Sequence, residues 1–273
     1  MCRWLAYSGG PLYLEELLLQ PRHSLIDQSL SAEQGETTTN GDGFGVGWFA
    51  DRDRAGVYRD TRPAWNDQNL RAFAHQIRSR LFLAHIRAAT GTAVQQTNCH
   101  PFQFENWVFV HNGSIKDFGK IKHELSFAVA PELYPSILGT TDSEIMFYLA
   151  LTFGLRESPI AALEHMAGFV EDVGRRQGID NPLQMTLGLL DGQRIYAVRY
   201  SSEGRSRTLY RTPDLRALKT IFPELNRYTD DAIAVVSEPF GELSEYWEAI
   251  PESTVVMVEG HDVSVRPFTP RVS

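Results

Sequence analysis

Apolar residues in this chain gather in short runs of strand length, at 44–50, 81–86, 107–110, 185–190, 195–200, 232–236 and 254–258. Positions 12–19, 67–79, 116–127, 143–153 and 159–175 instead carry apolar residues at helical spacing. Leu190-Asp191-Gly192-Gln193 separates two of the strand runs, and Asp-Gly in that setting predicts a hairpin. Thr141 followed by Glu144 predicts a capping box at the fourth helix, with Asp142 in its first turn. The strand runs come in consecutive groups rather than alternating strictly with helices. That order disfavours a doubly wound parallel sheet and predicts packed antiparallel sheets covered by helices, an α+β architecture. No Pro/Gly/Ser-rich linker, low-complexity tract or internal repeat divides the chain, so one domain is expected.

Composition narrows the class. Of 273 residues 42% are hydrophobic, enough for a packed core, and 26 Lys+Arg against 34 Asp+Glu give a net charge of −8. An acidic chain without basic clusters lacks the positive footprint that nucleic acid requires. The densest basic stretches, Arg175-Arg176 and Arg205-Ser206-Arg207, read as solvated surface. Glu15 and Glu16 interrupt the leucines near the start, so no secretory segment is recognised, and no apolar run spans a membrane. With only Cys2 and Cys99, both expected as free thiols, the pattern points to a reducing, cytoplasmic setting.

Cys2 is the most informative residue. Removal of Met1 leaves a thiol and a free α-amine on one residue, a nucleophile with its own base attached. Such an amine has a pKa of about 7.7–8.0, low enough to accept a proton near neutrality. Taken alone, a lone cysteine reads more readily as a small buried hydrophobe than as a nucleophile. Four further segments concentrate glycine and polar residues. Asn40-Gly41-Asp42-Gly43-Phe44-Gly45-Val46-Gly47 lacks the lysine and hydroxyl of a phosphate loop and reads as a turn entering a glycine-rich strand. Arg87 follows an apolar strand and precedes Thr90-Gly91-Thr92, where it can grip a carboxylate or serve in a structural ion pair.

His111-Asn112-Gly113 ends the next apolar strand. The Asn112 amide and the Gly113 N–H make a candidate oxyanion hole, although Asn-Gly is also a common turn. Asn98-Cys99-His100-Pro101 offers too few ligands for zinc, and Cys99 reads as structural. Asp142 caps a helix and can also bind an ammonium group. A cysteine, an oxyanion donor pair and grips for a carboxylate and an ammonium together suit an α-amino acid whose side chain ends in an acyl group, such as glutamine.

In this order Cys2, Arg87-x-x-Thr90-Gly91, His111-Asn112-Gly113 and Thr141-Asp142-Ser143-Glu144 resemble the class II glutamine amidotransferases of the N-terminal-nucleophile hydrolase superfamily. Met-Cys-Arg at the start, Asn-Gly-Asp-Gly-Phe-Gly, residues 63–70 and 97–102, and later Ser237-Glu238-Pro239 are similar to its stand-alone members. These include the amidotransferase-like subunit of the fungal glutathione-degradation complex and, more distantly, the γ-glutamyl hydrolase of ergothioneine synthesis. Where the family's glucosamine-phosphate synthase has Trp and His around the arginine motif, this chain has Ala88 and Gly91.

The resemblance implies a four-layer αββα sandwich of two antiparallel sheets, formed by residues 2–273 as a single domain after loss of Met1. It assigns Cys2, Asn112 and Gly113 to catalysis and Arg87, Thr90 and Asp142 to substrate binding, with no cofactor or metal. The substrate is glutamine or another γ-glutamyl small molecule, attacked by Cys2 to give a γ-glutamyl thioester that water hydrolyses to glutamate. Length leaves no acceptor domain, so either water or an acceptor or peptidase partner protein is expected, and a homodimer stays open. The alternatives are a partner-dependent subunit inactive alone and an amidase for an unrelated amide. The second is disfavoured because such amides need no ammonium grip at Asp142.

Overall fold

The computed structural model describes residues 2–34, 39–89, 91–241 and 244–272. β1 (Arg3–Tyr13), β2 (Phe44–Phe49), β3 (Gly56–Asp60) and β4 (Arg78–Ile86) form a first sheet with three later strands. The second sheet takes β5 (Phe102–Phe104), β6 (Trp107–Ile115), β7 (Leu183–Leu190) and β8 (Arg194–Ser201). β9 (Tyr210–Arg211), β10 (Ile233–Val236) and β11 (Glu248–Ala249) return to the first sheet, whose order is β11-β9-β10-β1-β4-β2-β3. β12 (Thr254–Glu259) and β13 (Asp262–Pro267) complete the second, ordered β13-β12-β8-β7-β6-β5. Neighbouring strands are antiparallel throughout both sheets.

Side-chain alternation sorts the layers, because successive residues of a strand face opposite sides of its sheet. Along β1, Trp4 and Ala6 face the second sheet and meet Val108, Val110, Ala197 and Val256 in a buried interlayer. Leu5 and Tyr7 face outward, against α1 (Glu15–Leu18), α2 (Leu25–Leu30) and α3 (Gln68–Gln76). On the far side, Phe109, Leu187 and Val198 pack against α4 (Phe118–Phe127), α5 (Asp142–Thr152) and α6 (Pro159–Arg176). The result is the expected αββα sandwich. α5 is buried at every position from Ser143 to Leu151, as a helix that is apolar nearly all round must be.

The hairpin at Asp191-Gly192 is present, with Gly192 at φ +96°. Several boundaries differ from expectation. The helix expected over 12–19 is only Glu15–Leu18, because Leu12 and Tyr13 belong to β1 and pair with Ser79 and Arg78. The helix expected over 67–79 stops at Gln76, and its last part opens β4. Thr141 Oγ1 does accept the Glu144 N–H, at 3.2 Å. The Glu144 carboxylate, however, turns to the N–H groups of Leu138 and Gly139, at 3.0 and 2.7 Å, so the box is only half formed. A complete capping box occurs instead at Ser24 and Asp27, ahead of α2. No described helix is long and apolar enough to cross a membrane.

Candidate active site

Cys2 precedes β1 at the edge of the interlayer, one step beyond the paired residues Arg3 and Ile86. It is half-buried, and its Sγ lies 3.6 Å from the Ala88 carbonyl. The strand behind it is tied to both sheets. The Trp4 backbone is bonded twice to Ser237, its N–H donating to the Ser237 hydroxyl and its carbonyl accepting the Ser237 N–H, each at 3.0 Å. The Trp4 indole N–H donates to Thr186 Oγ1 at 3.2 Å, and Thr186 Oγ1 in turn donates to the Asn112 carbonyl at 3.4 Å.

A cavity of about 480 Å³ opens in front of Cys2, and Arg87, Gly113, His111, Asp142 and Lys122 are among its walls. Four of the expected residues therefore converge. Asn112 is buried beside Gly113 and is not among the residues lining the cavity. It shares the strand face of Val108 and Val110, the face that meets the sheet carrying Cys2. Thr90 and Met1 lie outside the described residues.

His111-Asn112-Gly113 does not end its strand as expected. β6 continues to Ile115, with Asn112 opposite Thr186 and Gly113 opposite Met185. A side chain at 113 would run into the Gln184 carbonyl and the His111 ring, so close approach of neighbouring backbone requires glycine there.

Among the described residues Arg87 is held by hydrogen bonds to the glycine-rich segment and to Thr92 and Ala93, not by an ion pair. Its N–H donates to the Gly43 carbonyl at 2.8 Å, and its carbonyl accepts the Asp42 N–H at 3.0 Å. The guanidinium donates to the Asp42 carbonyl at 3.2 Å, to Thr92 Oγ1 at 2.7 Å and to the Ala93 carbonyl at 3.2 Å. The Asp42 carboxylate meanwhile accepts the Ala89 N–H at 2.8 Å. Gly43 has φ +112°, and a Cβ on it would press on Cys99 Sγ and the Asp60 carbonyl. Cys99 is fully buried in that packing, as its structural reading expects.

Asp142 joins β6 to α5. One carboxylate oxygen accepts the Ile115 N–H at 2.8 Å, and the other accepts the Ser143 N–H and hydroxyl at 2.7 and 3.2 Å. His111 Nδ1 lies 2.8 Å from the same Ser143 hydroxyl. Burial pushes His85 down to about 3 and takes His100 well below its ordinary value. Burial likewise lowers His111, against the opposing pull of Asp142 and the Gln184 carbonyl. The imidazoles are thus neutral near pH 7, which leaves the guanidinium groups of Arg3 and Arg87 as buried cations beside Cys2. Among the described residues no group of His, Cys, Asp or Glu is arranged to hold a metal ion.

Burial pushes the Cys2 thiol up, and Arg87 and Arg207 only partly offset it. The resting group is therefore a neutral thiol that needs a base. Alkylation by iodoacetamide, followed by peptide mass, is expected to modify Cys2 and to keep accelerating above about pH 8.5, the ordinary thiol value. A rate already level at neutral pH would contradict a raised thiol.

Arg207 corrects the surface reading of Arg205-Ser206-Arg207. It is half-buried and close enough to act on the Cys2 thiol and on His111. Lys122 and Phe118 of α4 also line the cavity. Their sequence signal was only amphipathic spacing, which does not say what lies opposite the polar face.

Two antiparallel sheets lie between layers of helices, with Cys2 just ahead of β1, a central strand of the first sheet. A solved glutamine phosphoribosylpyrophosphate amidotransferase from B. subtilis shares the fold over 99% of this chain and 50% of its own length, with TM-score 0.65 and 12% identity. A family model described as glutamine amidotransferases class-II matches residues 22–269, and the chain belongs to that family. A solved glutamine aminotransferase class-II domain protein from Silicibacter pomeroyi is similar at TM-score 0.74 and 32% identity, covering 98% of this chain and 100% of that one. Among curated proteins, the probable glutamine amidotransferase DUG3 of Saccharomyces cerevisiae is 29% identical, over 98% of this chain and 84% of its own. The gamma-glutamyl-hercynylcysteine sulfoxide hydrolase of Mycolicibacterium smegmatis is 27% identical, over 98% of this chain and 100% of its own.

Proposed function

We propose that this protein hydrolyses γ-glutamyl amides, with Cys2 as the nucleophile once Met1 has been removed. The observation that carries the reading is the convergence of Cys2, Arg87, Gly113 and Asp142 on one cavity. The free α-amine takes the thiol proton as sulfur attacks the γ-carbonyl. Asn112 and the Gly113 N–H stabilise the tetrahedral oxyanion. The ammonium then returns its proton to the leaving nitrogen as the C–N bond breaks, and a γ-glutamyl thioester remains. Water, deprotonated by the same amine, adds to the thioester, and the C–S bond breaks to give glutamate and the free thiol. Arg87, with Thr90, holds the α-carboxylate, and Asp142 holds the α-ammonium. We read residues 2–273 as one domain of this kind.

Two observations support a hydrolase whose donor is larger than glutamine. The cavity lies within the range of about 300–1,000 Å³ that accommodates drug-sized ligands. A relative matched along its whole length carries the name of a γ-glutamyl hydrolase. The test is a donor panel of glutamine, glutathione and other γ-glutamyl dipeptides, with glutamate release and intact mass read on the same samples. We expect glutamate from at least one donor, and an acid-trapped species heavier by one glutamyl group on the Cys2 peptide. Silence with every donor overturns the stand-alone hydrolase, and turnover by enzyme that retains Met1 overturns the free-amine mechanism.

A further inference from the structure

Glu238 lies just past β10 and is 2% exposed, yet its carboxylate is ringed by donors. One oxygen accepts from Arg3 Nε at 2.7 Å and from the Gln34 N–H at 3.1 Å. The other faces His23 Nε2 at 2.5 Å and accepts the Glu33 N–H at 2.9 Å. Burial alone would push this carboxyl up, but the Glu33 N–H, His23, Arg3 and the Gln34 N–H outweigh it and hold the group below the ordinary carboxylate range. It is therefore an anion at neutral pH. Behind it, the Gln28 carboxamide donates to the carbonyls of Glu238 and Pro239, at 3.3 and 3.4 Å, which anchors the turn that carries it.

Arg3 makes a second contact. From Nη1 it donates to the carbonyl oxygen of Cys2 at 3.0 Å. A guanidinium is a rigid planar fork, so fixing Nε on Glu238 fixes the direction in which Nη1 points. The anion on one edge of the fork thereby sets the peptide group of Cys2 on another. The residue before Glu238 contributes too, because Ser237 pins both backbone polar groups of Trp4. Ser237-Glu238 thus grips the two residues that follow the thiol.

We propose that Glu238 is a positioning residue for the nucleophile: acting through the Arg3 fork, it fixes the Cys2 backbone so that the thiol meets the substrate carbonyl at the angle and distance of attack. This rests on the reading of Cys2 as nucleophile. A misplacement of about 1 Å in a reacting group can cost on the order of a hundredfold in rate, so the effect belongs in turnover. The substrate grips at Arg87 and Asp142 lie on other segments and keep their contacts.

The experiment uses the full chain with Met1 removal checked by mass, on a donor that the native enzyme cleaves. Glu238→Gln keeps the size and one acceptor oxygen but removes the charge. Its kcat is expected to fall about 10- to 100-fold, with KM within about twofold of native. Arg3→Lys keeps a buried cation without the fork and is expected to lose kcat in the same way. The double variant Arg3→Lys/Glu238→Gln should be no worse than the poorer single variant, since two residues acting as one unit are not additive. Native kcat in Glu238→Gln, a change confined to KM, or additive losses in the double variant each overturn the proposal. If Glu238→Gln does not fold, Arg3→Lys decides alone, and native kcat there overturns the proposal. Cys2→Ala on the same donor separates the two levels. Undiminished turnover sinks the nucleophile reading itself, whereas a dead Cys2→Ala beside a native-like Glu238→Gln sinks only the role of Glu238.

Discussion

Cys2→Ala is expected to lower kcat by at least about a thousandfold and to abolish the trapped glutamyl species, because the substitution removes the sulfur proposed to form the thioester. Folding should barely change. Cys2 precedes the first strand, is only half-buried, and makes one long contact to Ala88. Removing it opens no enclosed void, and the melting temperature should stay near the native value. Cys2→Ser refines the test by keeping the shape and the neighbouring amine while raising the proton affinity of the nucleophile. Serine should therefore fall between alanine and cysteine. The measurement is glutamate release under saturating donor, alongside intact mass after acid quench. Alanine enzyme that still accumulates a glutamyl adduct would mean that another side chain receives the group.

The second large effect is expected at Gly113, where Gly113→Ala should damage both stability and rate. The added methyl would press on the Gln184 carbonyl of β7 and on the His111 ring, neither of which is the loose end of a flexible chain. Overpacking of this kind costs about 1–3 kcal/mol, to be read from the denaturation midpoint. The alanine still carries an N–H, so the donor survives in kind. Moving it off the position of the developing oxyanion costs on the order of a hundred- to a thousandfold in kcat, as loss of such a donor does elsewhere. With Arg87 and Asp142 as the proposed grips on the amino-acid end, KM should change far less than kcat. A variant that unfolds earlier yet turns over at the native rate would remove Gly113 from the proposed oxyanion site.

Much of the candidate site was legible because the chemistry proposed for it needs residue types that stand out at element ends. Cys2 precedes β1, Arg87 follows β4, and Asp142 opens α5. The grouping of strand-length apolar runs predicted packed antiparallel sheets covered by helices, while the four-layer αββα order came from the family resemblance. What escaped was structure written in backbone rather than side chains. β1 was invisible because Ser8-Gly9-Gly10-Pro11 breaks its apolar pattern, while its ladder to β4 bridges that irregularity. β6 was cut short at Val110, since polar residues and Asn-Gly suggest a turn, yet those positions keep pairing with β7. The hold on Arg87 ends on the carbonyls of Asp42 and Ala93, and a carbonyl has no residue type to read. Glu238 stood out as part of a short motif, but only the fold brings it to Arg3, 235 positions away.

The link from Trp4 through Thr186 to Asn112 has a consequence for how reactivity is inherited. In the proposed mechanism the attacking sulfur sits just ahead of β1 in one sheet and the oxyanion donors lie on β6 of the other, so the distance of attack would be a gap between two layers of the core. At Gly188 of β7, a Cβ would meet the Trp4 ring at 2.8 Å. A methyl group there would act as a wedge between the layers, felt at the reaction centre without touching substrate. On the proposed mechanism, the packing that keeps water out of the sandwich would also be the spacer that sets the reaction coordinate.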